Sequence, residues 1–482
     1  MNERVANVLE RTWANLSRVW RRISQTDRTD FGRVRADLPD TDAVALRRQI
    51  EECLASKGGE VSSRARAAAI GHLYMTLNDR GRVRFFEILA GEFGVDRSAL
   101  LAAIEKVREA NNGAGHTEAE RQLRDVLTPR HIKLLTQFNS LPAGVKFLVD
   151  LRADVLSYGK SDARLRGLER DLRDLLASWF DVGFLELKRI TWNSPAALLE
   201  RLIAYEAVHE IESWEDLKHR LGDDRRCFAF FHPRMPDEPL VFVEVALVPG
   251  MSDNIQALLD ESVARPDSHD ARAAIFYSIS NAQKGLQGVN LGSFLIKRVV
   301  DELIRELPGL KTFATLSPIP GFASYLRTRL GAGIGLASAE RERLEKLNGS
   351  KRPDTILAEV LGAGNWHRDE NAAAALKGPL MRLCAEYLID ETRRGGRAPD
   401  QVANFHLSNG ARIERINWLA DTSERGLGQS AGLMVNYRYE PGWIEQNHEN
   451  YRTNGAAAAS GEVQELLRMP EERREPEPSG PK

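Results

Sequence analysis

A stretch with the pattern of a buried strand, Ala273-Ala-Ile-Phe-Tyr-Ser-Ile-Ser280, leads into Gly285-Leu-Gln-Gly-Val-Asn-Leu-Gly-Ser293 and then into an amphipathic stretch from Phe294 to Leu307. A strand, a glycine-containing turn and a helix in that order leave backbone N–H groups free at the helix start, where they and the helix dipole hold an anion. The order predicts a phosphate-bearing ligand at Gln287, Gly288, Val289, Asn290, Leu291, Gly292 and Ser293. No Lys follows the last glycine, which excludes the nucleoside-triphosphate type of loop. The spacing of Gly285, Gly288 and Gly292 is not Gly-x-Gly-x-x-Gly, and no acidic residue stands at a second strand end to take a ribose, so a dinucleotide is disfavoured. The bland alternative is a plain strand-to-helix connection.

The chain changes character near residue 180. Before it, apolar residues recur at helical spacing: Val8, Leu9, Trp13, Leu16, Val19 and Trp20 form one stripe, and Ala68, Ile70, Leu73, Tyr74 and Leu77 another. Turn chemistry at Asp27–Asp30, Asn111–Gly115 and Tyr158–Ser161 separates about eight predicted helices of ordinary length. Strands follow. Cys227–Phe231 and Leu240–Val248, with Pro233, Pro236 and Pro239 between them, read as a hairpin; Ala273–Ser280 and Thr312–Ser317 are further strands. A helix-rich insertion runs from about Phe322 to Arg394, and Val402–Leu407 with Ala411–Trp418 returns to strand and turn character. The Pro-, Glu- and Arg-rich tail from Met469 to Lys482 reads as disordered.

Composition narrows the class. With 42% hydrophobic and 28% charged residues in 482, the chain reads as an ordinary globular protein of two or three domains. A formal charge of -2 gives no reason to expect nucleic acid or an anionic membrane surface as a partner. Cys53, Cys227 and Cys384 are far apart, which argues against a disulfide framework or a zinc site and fits a reducing, cytoplasmic setting. No apolar run is long enough to span a membrane, and the first residues are too polar for a secretory signal.

The segment Gln287-Gly-Val-Asn-Leu-Gly-Ser293 resembles the Gln/Arg-x-x-Gly-x-Gly/Ala loop with which the acetyltransferase (GNAT) superfamily cradles the pyrophosphate of coenzyme A. Seven strings in one order carry a more specific likeness: Ala273–Ser280, Gly285–Val289, Phe294–Val300, Leu316–Phe322, Pro379–Cys384, Val402–Leu407 and Gly432–Tyr439. Together they resemble the malonyl-CoA decarboxylase family, from near Trp179 to about Tyr439. The resemblance implies an α+β multidomain chain. Residues 1–178 would form a helical domain used for oligomerisation, as a dimer or tetramer, and 179–460 a GNAT-like catalytic domain with a helical insertion, followed by a disordered tail at 461–482. It also implies conversion of malonyl-CoA to acetyl-CoA and carbon dioxide, with no metal or organic cofactor, coenzyme A being part of the substrate.

By the same resemblance, His406, Ser317 and Tyr439 match the family's active-site positions, and Asn290 stands where animal members have Glu. An imidazole titrates near neutrality, so His406 is expected to donate a proton to the enolate, with Ser317 holding the malonyl carboxylate or relaying that proton. Asn290 can hydrogen-bond but carries no charge, which puts a proton-handling role there in doubt. Without the resemblance, His406 reads as a core histidine on a strand, Ser317 as a turn residue before Pro318, and Tyr439 as a half-exposed strand aromatic. His209, His232, His367 and His448 have no ligand-like spacing and read as structural. A CoA-dependent acyltransferase of the same fold, or a non-catalytic CoA-binding protein, are the alternatives. The helical region holds no residue that sequence ties to the chemistry.

Overall fold

The computed structural model describes residues 3–25, 31, 34–55, 59–110, 113–159, 162–180, 182–262, 267–289, 295–333, 335–347, 353–362 and 364–468. Asn290, Leu291, Gly292 and Ser293, the Asp27–Asp30 turn and the tail from Met469 lie outside the described residues. Nine α-helices run from Glu3–Ser24 to Ala163–Trp179 among them, close to the number expected. Asn78, Asp96 and Asp162 accept backbone N–H bonds at three helix starts, satisfying first-turn donors that no helical carbonyl can reach. Trp20 is fully buried, stacks on Phe138 with centroids 5.9 Å apart and donates its indole N–H to the Pro142 carbonyl. The inner edge of its stripe therefore belongs to this chain's own core.

The second region is one mixed sheet: β1 (Glu186–Ile190), β2 (Arg225–Phe231), β3 (Val241–Val248), β4 (Ala273–Asn281), β5 (Thr312–Thr315), β6 (Ser317–Pro318), β7 (Arg412–Asn417) and β8 (Met434–Arg438). Their order is β1-β2-β3-β4-β5-β8-β6, with β7 on β8. β2 and β3 form the expected antiparallel hairpin. Only β4 and β5 run parallel, as two strands joined by a crossover helix must. That helix, Leu295–Glu306, buries Leu295, Ile296, Val299, Val300 and Leu303, one face at helical spacing. The β4–β5 ladder ends at Phe276↔Thr315, and the Leu316 N–H makes a last bond to the Phe276 carbonyl. Beyond that point β4 continues against β3 to Asn281, while Ser317 and Pro318 pair with β8. The two strands part at Ser317.

Two expectations are corrected. Val402–Leu407 is not a strand but lies in the helix Gln401–Ser408, started by Asp400, whose carboxylate accepts from the Val402 and Ala403 N–H groups. A short apolar run does not distinguish the two periods, and the buried set Ala403, His406 and Leu407 follows the helical one. Of the tail expected from 461 to 482, Gly461–Leu466 is instead a helix that buries Val463.

The helical region and the sheet share one core, in which Phe147, Val149, Phe276, Leu286 and Val289 all take part. Helix Gly144–Tyr158 lies so close to Gly285 that a Cβ there would sit 1.7 Å from the Val149 carbonyl oxygen, which is why that loop position is glycine. Arg152, 1% exposed, donates to the Gly285 and Gln287 carbonyls and pairs with Glu169 at 2.6 Å. The helical region, expected to hold nothing tied to the site, thus grips the loop that precedes helix Leu295–Glu306. Arg152→Met strands two carbonyls and a partly buried carboxylate, so we expect a loss of roughly 2–3 kcal/mol of stability. The urea midpoint checks this, and a midpoint equal to wild type refutes the grip.

Candidate active site

Ser317 stands at the parting of β4 and β5, and its neighbours explain why it stays there. Pro318 and Pro320 have no N–H with which to rejoin β4, so the chain turns outward. Gly321 ends the turn and donates its N–H to the Asp400 carboxylate at 2.9 Å. A Cβ at Gly321 would meet the Tyr387 hydroxyl at 2.1 Å. The same carboxylate caps helix Gln401–Ser408, so one buried side chain fixes the Ser317 turn to the helix that carries His406.

His406 sits in the last turn of that helix and is 2% exposed. Its Nε2 lies 3.0 Å from Ser317 Oγ and its Nδ1 2.8 Å from the Tyr439 hydroxyl. Tyr437 stacks on the imidazole, with centroids 4.6 Å apart and planes 21° from parallel. Tyr437 of β8 and Tyr439, one residue past its end, reach one histidine because alternate residues of an extended chain share a face. Tyr439 is buried, not half-exposed, and its ring meets Phe276 of β4 edge-on. Ser317 Oγ also donates to Thr315 Oγ1 at 2.8 Å.

Burial alone pushes the His406 imidazole down to about 3 from its ordinary 6.5. No carboxylate offsets that burial. The expectation that this ring titrates near neutrality is therefore overturned, and His406 is uncharged at pH 7. Burial likewise holds the Tyr437 and Tyr439 hydroxyls well above the usual phenol range.

Of the loop residues singled out in the sequence, Gln287 and Gly288 are exposed and Val289 is buried, ahead of helix Leu295–Glu306. The Gln287 and Val289 N–H groups are already bonded to the Lys284 and Leu286 carbonyls, because the chain turns in a 3-10 geometry there. They are not the free donors expected of them. Gly288, with φ of 74°, occupies the left-handed region that glycine adopts without strain. A trans peptide points its C=O and N–H in opposite directions, so the bond from Arg152 to the Gln287 carbonyl turns the Gly288 N–H away from the helical region.

The described residues thus bring Ser317, His406 and Tyr439 into one hydrogen-bonded group. Sequence reading missed Thr315, Asp400, Tyr437 and Arg152. Period-two spacing from Ser317 and Tyr439 was the available signal for Thr315 and Tyr437, and an Asp ahead of a possible helix was the signal for Asp400; nothing local marked Arg152. His232 and His448 have ring nitrogens against backbone carbonyls of Trp179 and Ser408, as structural histidines do. Among the described residues no three His, Cys, Asp or Glu side chains are grouped to hold a metal ion, and no helix is long and apolar enough to cross a membrane.

Comparison with known proteins places this geometry in a family. Residues 183–477 match the malonyl-CoA decarboxylase C-terminal domain and residues 93–180 the N-terminal domain. Rat mitochondrial malonyl-CoA decarboxylase is 39% identical over 438 residues, 86% of each protein. The crystal structure of malonyl-CoA decarboxylase from Rhodopseudomonas palustris superposes with a TM-score of 0.80 at 42% identity, over 87% of this chain and 98% of that one. That from Agrobacterium vitis gives 0.79 at 42% identity, over 88% and 99%. With these matches along most of its length, this chain belongs to the malonyl-CoA decarboxylase family.

Proposed function

We propose that this chain converts malonyl-CoA to acetyl-CoA and carbon dioxide, using Ser317 and His406 to protonate the enolate. The observation that carries the reading is the bonding of Ser317 to a buried, neutral His406 where the two parallel strands separate, in a chain of this family. Loss of carbon dioxide breaks the bond between the carboxylate and the methylene carbon, and the electron pair moves onto the thioester oxygen. The enolate then takes a proton on carbon. Both nitrogens of His406 are occupied by side chains, so a proton from the ring reaches substrate through Ser317. Ser317 gives its hydroxyl proton to carbon, His406 replaces it, and solvent supplies the one proton that the overall reaction consumes. The start of helix Leu295–Glu306, with the Gly288 N–H ahead of it, is the place we assign to the coenzyme A phosphates. Neither a metal nor an organic cofactor is part of this scheme.

For the assembly we propose a homodimer or homotetramer formed through the helical region, supported by apolar side chains exposed there, Val61 and Leu101 among them. Light scattering tests it. We assign the chain to a reducing compartment, the cytoplasm, supported by three free cysteines that are all buried. The division at 178 and 179 is the domain boundary we propose.

Purified protein should release acetyl-CoA and carbon dioxide from malonyl-CoA, with the rate unaffected by a chelator. Acetyl transfer to an amine from acetyl-CoA, without decarboxylation, identifies the acyltransferase instead, and CoA binding without turnover a non-catalytic protein. His406→Asn and Ser317→Ala should each lower kcat by roughly 10²–10⁴ with CoA affinity unchanged. Near-normal turnover in either removes that residue from the scheme. The pH profile is a separate check. Because the folded His406 lies far below its unfolded value, the unfolded chain binds more protons between about pH 6.5 and pH 3, and stability falls as pH drops through that window. In the folded enzyme kcat/KM should therefore show no inflection near 6.5 from His406, and an inflection there that disappears in His406→Asn refutes its neutrality.

A further inference from the structure

The hydroxyl network behind Ser317 has a direction. Thr315 Oγ1 is fully buried and lies 3.1 Å from the Tyr437 N–H, 2.8 Å from Ser317 Oγ and 3.4 Å from the Val435 carbonyl oxygen. A hydroxyl has one proton and two lone pairs. The Tyr437 N–H can only donate, so it takes one lone pair. The Val435 carbonyl can only accept, so it takes the Thr315 proton. The second lone pair is left for the proton of Ser317. Ser317 then presents a lone pair to His406 Nε2, which must carry the ring proton, and the bare Nδ1 accepts from the Tyr439 hydroxyl.

The opposite polarity fails on one count. If Thr315 donated to Ser317, Ser317 to Nε2 and Nδ1 to Tyr439, the Tyr439 proton would have no acceptor among the described residues, in a side chain 1% exposed. Folded proteins rarely leave such a donor unpaired. No charged group touches the ring to fix its tautomer, so the hydroxyls decide it.

We propose that Thr315 is a positioning residue: by accepting the Ser317 proton it holds His406 in the tautomer protonated at Nε2. This rests on the reading of Ser317 and His406 as the proton-delivering pair. It adds an order to the chain, in which the Tyr439 hydroxyl and the Nε2–H both point toward Ser317. When the enolate pair takes the Ser317 proton, the Nε2 proton moves to the Ser317 oxygen and the Tyr439 proton to Nδ1. Solvent then returns a proton to the phenolate. The imidazole itself never becomes an ion; the negative charge passes to the Tyr439 oxygen, where burial opposes it until that proton is returned. In the resting site Thr315 keeps the Ser317 proton engaged until a substrate carbon competes for it.

Nitrogen-15 NMR of the full chain with labelled histidine tests this directly, with His406 assigned among the ten histidines by its absence in His406→Asn. Wild type should show a protonated Nε2 and a bare Nδ1; a protonated Nδ1 overturns the proposal even if no Thr315 variant folds. Thr315→Val should shift the tautomer and lower kcat by roughly 10²-fold with KM little changed, and Thr315→Ser, which keeps the hydroxyl, should restore both. A Thr315→Ser protein as slow as Thr315→Val shows that the hydroxyl is not what restores the rate and also overturns it. The two readings fail differently. Normal turnover in Ser317→Ala removes the pair itself, whereas an inactive Ser317→Ala beside a fully active Thr315→Val, with wild-type tautomer, removes only the role of Thr315.

Discussion

The site depends on a ladder that stops. β4 and β5 hydrogen-bond in parallel as far as Phe276 and Leu316, and there β5 gives up its partner. Each strand has somewhere else to go. β4 remains paired with β3 to Asn281, across an irregularity at Glu244 and Val245 that adds Tyr277 to its side of the pair. The chain after Leu316 pairs with β8, and prolines at 318 and 320 supply no N–H for a return. The opening is thus held from both sides by strands that keep a partner, β4 on β3 and Ser317 on β8. Ser317 stands at that opening because it is the first residue past the break, and β8, the strand that receives it, also carries Tyr437 and leads directly into Tyr439.

Two buried charged side chains then bring distant segments to this opening. Asp400 binds the backbone of the Ser317 turn and of the His406 helix at once, and three N–H groups oppose the burial that raises its carboxyl above the usual range. Arg152 does the converse. It offers donors to two loop carbonyls, with Glu169 balancing its charge. A group of this kind is tolerated inside a protein only when its hydrogen bonds are complete, and completing them specifies one arrangement of the segments involved.

The imidazole itself is set up differently from that of a serine hydrolase. There a carboxylate stabilises the imidazolium that forms when serine loses its proton. Here a phenol faces Nδ1 and a tyrosine ring covers one face, with burial keeping the ring neutral. Without a carboxylate to stabilise an imidazolium, such a site is poorly suited to drawing a proton from Ser317, which is the polarity that the proposed delivery of a proton through Ser317 requires.

Much of this was legible in the sequence. Apolar stripes at helical spacing marked the first region, β-branched runs marked β2, β3, β4 and β5, and the family resemblance singled out Ser317, His406 and Tyr439. The stripes and runs are local signals that periodicity within ten or so residues carries, whereas the three site residues came from the resemblance alone. The helix at Gln401–Ser408 was misread as a strand because six residues fit either period, and only the cap from Asp400 decides between them. The protonation of His406 was misjudged for a related reason. A side chain's ordinary pKa belongs to water, and nothing in Asn-Phe-His-Leu says that the ring will be sealed among Phe405, Tyr437 and Tyr439. The grip of Arg152 on the loop spans 135 residues to Gln287, a separation at which no sequence pattern operates. Composition and periodicity determined which elements form. Which hydroxyl faces which nitrogen, and whether the ring carries a charge, were decided only when tertiary packing excluded water from the site.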